Sequence, residues 1–492
     1  MDYTKMKKMK LWMFAAILLC GASVMLTSCS KDDDNNGGSA PQEKAKYTIM
    51  FYGCGGGDVD VMLEGAFNSI LNAVSNSKGQ VRFMVMYSMS KDDTMYKKEN
   101  PNFNPDVFWG ELGMTYRYEM SDETFKDFTE KNGQQLYRER LKYKPASEVK
   151  LYEKATLKEY IEWCKKTAPA ENYILIPCNH GGGFDLDTEV TRGIMYDDNH
   201  KRMGMSVKSI AAALNETNTH LKAIYWYGCL MGQLEVLTET APYCDYQFTS
   251  THVARVNEDH PVSLIKALTD SPNDFEQAAL KQRQYLETSF LYPFRNAKDK
   301  DGNLNPENCD FGCWRSDKIA AINAQVKEMG ELMTSNYTEL KGGVDAASMS
   351  VYVYEWQYPH VDVLDYADNL ALYMDEDAQT QAKAKAIAEN LRNAIEAANV
   401  YRINGVFRKY KGTDVTTRRG TFSLGISLYT KEDDDYQKYA ANFKSSAFDQ
   451  ATGWSKWLDV NTVSVMPETI EELPNPVNNS DVELWWLDDD EE

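Results

Sequence analysis

Positive charge is what this chain has least of. It carries 53 lysines and arginines against 74 aspartates and glutamates, a formal net charge of −21. A groove built for a phosphate backbone needs the opposite balance, so nucleic acid is excluded as an expected partner. Long apolar runs are scarce too. No stretch of about 20 apolar residues follows residue 28, which excludes a membrane-spanning helix from there on. Cysteine is not laid out as a disulfide framework. Nine are present, two of them (Cys20 and Cys29) in the first 29 residues, and the rest are odd in number and mostly scattered singly. Cys309 and Cys313 are near enough in sequence to bridge in an oxidising compartment, but no second Cys/His pair is spaced to make a zinc site with them. Asp197, Asp198 and His200 offer metal-ligand chemistry without a further histidine four residues on, and that stretch reads as a turn. No metal and no cofactor is expected.

What is present begins with an export signal. Lys5, Lys7, Lys8 and Lys10 precede a mostly apolar segment, Leu11 to Met25, that is too short for a comfortable membrane span. Leu26-Thr27-Ser28-Cys29 resembles a bacterial lipobox, which implies removal of residues 1–28 and lipidation of Cys29. Lys31-Asp32-Asp33-Asp34 resembles the acidic tag that sends lipoproteins of some Gram-negative bacteria to the cell surface. Residues 29–45 then read as an acidic, flexible tether. The expectation is an outer-membrane lipoprotein, exposed at the surface, monomeric and held by its acyl chains.

The folded part is long enough for a large catalytic-type domain with additions, and 43% apolar content is enough to fill its core. Apolar runs at Tyr47–Tyr52, Val81–Tyr87, Tyr173–Cys178, Ala223–Tyr227 and Tyr246–Ser250 alternate with helical periodicity at 58–71, 156–166, 205–214 and 231–240. Thr156 with Glu159 three residues later has the pattern of a capping box. Strand and helix in alternation predict an α/β/α sandwich with a mostly parallel sheet over residues 46–310, interrupted by a polar insertion at 89–150. Residues 311–460 read as more helical, with strand-like runs at Ser348–Tyr354 and Phe422–Tyr429. Residues 461–492 read as an acidic, exposed tail.

Ligands of open α/β sheets bind beyond the carboxyl ends of the strands. His180 stands just past one such end, in Asn179-His180-Gly181-Gly182-Gly183. Cys229 stands past the next, in Tyr227-Gly228-Cys229-Leu230-Met231-Gly232. A thiol attacks as thiolate, and an imidazole beside it can take the proton. Glycines behind the histidine leave room for a peptide carbonyl, whose developing oxyanion the Gly181 and Cys229 N–H groups would receive. Spacing alone leaves open a capping histidine and a buried structural cysteine. Other constellations carry less. Gly53-Cys54-Gly55-Gly56-Gly57 lacks the Gly-Lys-Ser/Thr ending of a phosphate loop. Cys178 reads as a packing residue, and Cys54 is the one rival thiol.

Larger stretches resemble the clostripain family of cysteine peptidases, which have a caspase-like fold. Tyr173 to Gly183 resembles its histidine motif, and Cys229-Leu230-Met231-Gly232-Gln233-Leu234-Glu235 its nucleophile motif. Thr156–Ile161, Gly193–Asp198, Arg315–Asp317, Val363–Ala367, Gly425–Tyr429 and Thr452–Trp454 follow in the family's order. The resemblance implies His180 as general base and Cys229 as nucleophile, acting on peptide or protein substrates without a metal. Members that cleave after Arg or Lys carry an aspartate two residues before the cysteine, at the floor of the first specificity pocket. Tyr227 stands there in this chain, and Asp58 is the candidate substitute. A lipoprotein that keeps the fold and only binds a peptide or a partner is the alternative reading. If Cys29 carries the only anchor, Cys29→Ser is expected to move the protein out of the membrane fraction; retention after a salt wash would show a different attachment.

Overall fold

Alternation of side chains along each strand sorts the core into two layers. The computed structural model describes residues 44–54, 58–91, 112–121, 143, 148–184, 194–252, 254, 259–287, 309–335, 337–355, 358–375, 377–405 and 424–465. Cys29, most of the expected tether, the glycines 55–57, most of the insertion and the tail from 466 lie outside them. Among them, β1 (Ala45–Cys54), β2 (Val81–Ser88), β3 (Thr115–Met120), β4 (Ala170–Cys178), β7 (Leu221–Tyr225), β8 (Cys244–Thr249), β9 (Cys309–Arg315) and β12 (Asn399–Gly405) form one sheet in the order β12-β9-β8-β7-β4-β1-β2-β3. The five central strands, β2-β1-β4-β7-β8, are parallel, and β3, β9 and β12 are antiparallel additions at the edges. Parallel strands need helical crossovers and are covered on both faces.

Ile49 and Phe51 of β1 face a layer that includes Phe67, Ile70 and Leu71 of α1 (Asp58–Ser75). Met50 and Tyr52, one residue out of phase, face the opposite layer with Leu157, Tyr160 and Ile161 of α2 (Lys154–Thr167) and Ile210 and Leu214 of α3 (Val207–Glu216). α4 (Leu234–Thr240) joins the α2 side, while α5 (Asp259–Asp270) and α6 (Phe275–Leu286) join α1. The fold is thus the expected α/β/α sandwich.

The C-terminal region is built onto the α2 side. Its helices α7 (Ile319–Ser335), α8 (Tyr337–Ser350), α9 (Val363–Tyr373) and α10 (Ala378–Ala398) share that apolar layer. A small antiparallel sheet of β10 (Val353–Glu355), β11 (Tyr358–Asp362) and β13 (Gly425–Ser427) sits among them. β5 (Ile194–Asp197) and β6 (Met203–Met205) make a separate hairpin. Two polar braces tie the additions to the central sheet. Asp310 of β9 accepts from Ser250 Oγ and from the N–H groups of Thr251 and His252, the last at 2.7 Å, fixing the turn after β8. Glu235 of α4 accepts from Ser427 N of β13 at 2.8 Å.

Three expectations are corrected and one open possibility is closed. The α2 helix starts at Lys154, so Thr156 lies inside its first turn and no side chain caps it. Glu159 turns outward to Arg117 at 2.6 Å and to the Tyr143 hydroxyl at 2.9 Å, and there is no capping box. Cys309 and Cys313 do not bridge. They lie four residues apart on one extended strand, roughly 13 Å between Cα atoms at the ~3.4 Å rise of a strand, about twice the reach of a disulfide, and Cys313 is a free, buried thiol. The run 348–354 is not a single strand. α8 occupies it up to Ser350, and β10 starts at Val353. Packing also continues past residue 460. Asn461 is buried and donates to the Tyr429 carbonyl at 2.9 Å, and Val465 belongs to the core.

Burial raises the Glu235 carboxyl from 4.5 to about 7, against a smaller downward pull from the Ser427 N–H. The folded protein therefore binds this proton more tightly than the unfolded chain. The resulting stability is full below about pH 4.5 and is lost as pH rises through about 7, a change on the order of 3 kcal/mol. Glu235→Gln is expected to flatten the fall in unfolding free energy between pH 5 and pH 8, measured by urea titration. An unchanged slope would show that Glu235 is not the group responsible.

Candidate active site

β4 and β7 are neighbours, so the two loops that follow them emerge side by side. Pairing continues beyond the regular strands: Cys178 bridges Tyr227, and the Tyr227 N–H donates to the Pro177 carbonyl at 3.0 Å. β4 is buried to Asn179, and His180 is the first residue after it to reach partial exposure. Asn179 fixes that exit. Its Nδ2 donates to the Cys54 carbonyl at the end of β1, and its Oδ1 accepts from the His180 N–H.

The next residue has no room for a side chain. A Cβ on Gly181 would lie 2.9 Å from Cys229 N and closer still to the Cys229 carbonyl oxygen. A Cβ on Gly228 would lie 2.8 Å from the Asn179 carbonyl oxygen. The two loops interlock backbone to backbone, and His180 and Cys229 flank the contact. Leu230, just after the cysteine, adopts φ +61, an uncommon left-handed conformation for a side-chain-bearing residue. Its N–H donates to the His252 carbonyl at 3.0 Å, and Gly232 N to the Ser250 carbonyl at 2.8 Å, so the turn braced by Asp310 also holds the nucleophile loop.

Exposure separates Cys229 from the other described thiols. Cys54, Cys164, Cys178, Cys244 and Cys313 are buried, whereas Cys229 is half-buried. Burial pushes the Cys244 thiol up to about 12 and the Cys164 and Cys313 thiols above the ordinary range. Cys54, the rival, is 1% exposed in the layer beside Tyr52. The Cys229 sulfur accepts from the Ala254 N–H at 3.2 Å and lies 3.4 Å from the Ala254 carbonyl.

Tyr227 points away from solvent. It is buried on the α1 side of the sheet, edge-on to Tyr225 and 5.3 Å in ring centroids from His260. Burial pulls the His260 imidazole down to about 3, so it is neutral, and its Nδ1 pairs with the Tyr225 hydroxyl at 2.8 Å. Asp58 is the first residue of α1, and its side chain lies outside the description. The remaining polar cluster is occupied by its own pairing: His200 Nδ1 lies 2.8 Å from Asp197 and its Nε2 3.2 Å from Glu148. Among the described residues no three His, Cys, Asp or Glu side chains are grouped to hold a metal ion.

Asn179, Gln233 and His360 were not singled out from the sequence. Gln233 is buried, accepts from the Phe184 N–H at 3.0 Å and packs against Gly183, which has φ +81. The only trace of this in the sequence is arithmetic: Phe184 and Gln233 are offset from His180 and Cys229 by the same four residues.

Known proteins place the chain. A profile of the clostripain family matches residues 68–461. Clostripain from Hathewaya histolytica is 22% identical over 462 residues, covering 86% of this chain and 82% of that protein. A secreted C11 cysteine protease from Bacteroides thetaiotaomicron, solved in complex with an irreversible peptide inhibitor, superposes with a TM-score of 0.55 at 12% identity, over 83% of this chain and 99% of that one. An inactive zymogen C11 protease from Parabacteroides distasonis gives a TM-score of 0.50 at 13% identity, over 84% and 99%. At such identities the solved structures speak for the caspase-like fold alone. The family match, spanning well over half of the sequence, says more: the chain belongs to the clostripain family and is a cysteine-type endopeptidase.

Proposed function

We propose that this endopeptidase works with a His180/Cys229 dyad through a thioester intermediate, as a lipoprotein at the cell surface. The observation that carries the dyad is the backbone contact between Gly181 and Cys229, which brings the half-exposed thiol and the half-exposed imidazole to one sheet edge. His180 takes the thiol proton as Sγ attacks the scissile carbonyl carbon. Negative charge gathers on the carbonyl oxygen, where the N–H groups of Gly181 and Cys229 receive it. The C–N bond breaks as His180 returns the proton to the leaving amine. Water, deprotonated by the same imidazole, then attacks the thioester, releasing the acid product and restoring the thiol.

Cys29 lipidation and surface display rest on the N-terminal motif. What bears on specificity is what position 227 lacks: Tyr227 is buried behind the reactive edge and brings no carboxylate there. A preference for Arg at the residue before the scissile bond needs a buried carboxylate partner. Tyr227 and neutral His260 supply none, and the preferred residue is accordingly small, polar or apolar.

Cys229→Ala is expected to abolish hydrolysis of labelled casein with the fold intact, and His180→Ala to come close to it, the two losses not adding. Full activity in Cys229→Ala would overturn the dyad. An unmodified wild-type thiol after treatment with alkylating peptide probes, together with no turnover, would favour a protein that only binds. A fluorogenic peptide library tests the pocket. Losing a desolvated charge pair costs about 2–5 kcal/mol, so uncharged residues should compete well with Arg. Tyr227→Asp is expected to raise kcat/KM for Arg peptides relative to the others. Wild-type preference for Arg by about tenfold or more would instead mean that another carboxylate, such as Asp58, reaches the pocket.

A further inference from the structure

Gln233 occupies the N-cap position of α4 but makes no cap bond with its side chain. It is buried, and its amide spans two other elements instead. Oε1 accepts from the Phe184 N–H, on the loop that carries His180. Nε2 faces His360 Nδ1, on β11. Gly183, on the His180 loop, packs directly against this amide: a Cβ there would come within 2.7 Å of the Gln233 Cδ atom. The main chain of the same run is held from a third side: Gly425 donates to the Gly232 carbonyl at 2.8 Å and bridges Gln233.

The hydrogen-bond inventory fixes the orientation of this amide. A backbone N–H can only donate, so Phe184 needs the oxygen. The NH2 end is then left for His360, whose Nδ1 must accept and whose ring proton therefore sits on Nε2. Contact at Gly181 and Cys229 alone sets how closely the loops approach and leaves their relative tilt free. A second tie four residues further along removes that freedom.

The geometry points to Gln233 as a positioning residue: through the Phe184 N–H it sets the orientation of the His180 loop against the Cys229 loop, with His360 holding the amide the right way round. This rests on the dyad reading. A glutamine that merely filled space would affect stability and leave turnover per folded molecule unchanged. A positioning glutamine would affect the chemical step, and a side chain able to accept from Phe184 would restore it. Glutamate can do so, with His360 moving its proton to Nδ1 and donating.

The test uses Gln233→Leu, Gln233→Glu and Gly183→Ala in the full mature chain. It measures kcat and KM on the best peptide of the library, and the rate at which iodoacetamide alkylates Cys229. Gln233→Leu is expected to lower kcat roughly 10- to 100-fold, the scale of a misplacement of about an ångström, with little change in KM. Alkylation should slow with it, because the thiolate depends on His180. Gln233→Glu should recover most of kcat even with a lowered melting temperature, and Gly183→Ala should reproduce the loss with Gln233 still present. Should Gln233→Leu not fold, Gln233→Met, of similar length and volume, carries the same expectation. Wild-type kcat in the folded Leu or Met variant, or a Glu variant as slow as the apolar one, overturns the proposal. Cys229→Ala run alongside separates the two readings: if it is active the dyad itself falls, and if it is dead while Gln233→Leu is fully active only the role of Gln233 falls.

Discussion

The active edge depends on a contact that contains no side chain. Gly181 and Gly228 bring the loops after β4 and β7 together so closely that a methyl group on either would meet main-chain atoms within 3 Å. Overpacking of this kind costs about 1–3 kcal/mol, but the cost is secondary to its direction, because relief comes only by moving the loops apart. Through this contact the parallel register of two core strands sets the spacing between a histidine and a cysteine 49 residues apart. Sites carried on paired strands are held more precisely than sites on long loops, and here only one residue separates each of the last paired positions, Cys178 and Tyr227, from its reactive group.

The rest of the molecule reinforces that contact from behind. Asp310 gathers three donors at residues 250–252, and the carbonyls of that turn receive the N–H groups of Leu230 and Gly232. Charge-assisted bonds of this type contribute about 1.5–3 kcal/mol each. They let Leu230 persist in a backbone conformation that it would not adopt unsupported. From the other side, β13 is tied to α4 through Glu235, and the Trp454 indole donates to the Ser427 carbonyl at 2.9 Å. The C-terminal third thus presses on the nucleophile loop rather than forming an appendage to it.

His180 and Cys229 were legible because their signal is local: an apolar run, then a reactive residue and glycine, twice, in strands that a parallel sheet places side by side. Of the antiparallel strands, β9 and β12 were not. β9, Cys-Asp-Phe-Gly-Cys-Trp-Arg, alternates over only five residues, and its glycine and its buried aspartate blur that signal. β12 opens with Asn399 directly after a 21-residue helix and reads as its continuation. Thr156 misled because Glu159, which has the right spacing for a cap, is engaged by Arg117 from a distant strand. Gln233 and His360 are 127 residues apart, and no local pattern marks either. Tyr227 was expected to face the reactive edge with Cys229, but alternation ends at the strand end, and the turn through Gly228 separates the two side chains into core and edge.

The distribution of sulfur has a consequence for the redox life of the protein. Among the described residues one thiol reaches the surface; the others are sealed in the core, where burial holds the protons of Cys164, Cys244 and Cys313 tightly. Among the described thiols Cys229 is therefore the one an oxidant meets first, and the buried ones are poorly placed to condense with a sulfenic acid formed there. A sulfenic acid that is not captured by another thiol is open to further, irreversible steps. A protein built in this way depends on its surroundings for reduction, and its working lifetime would be longest where oxygen is scarce or small thiols are plentiful.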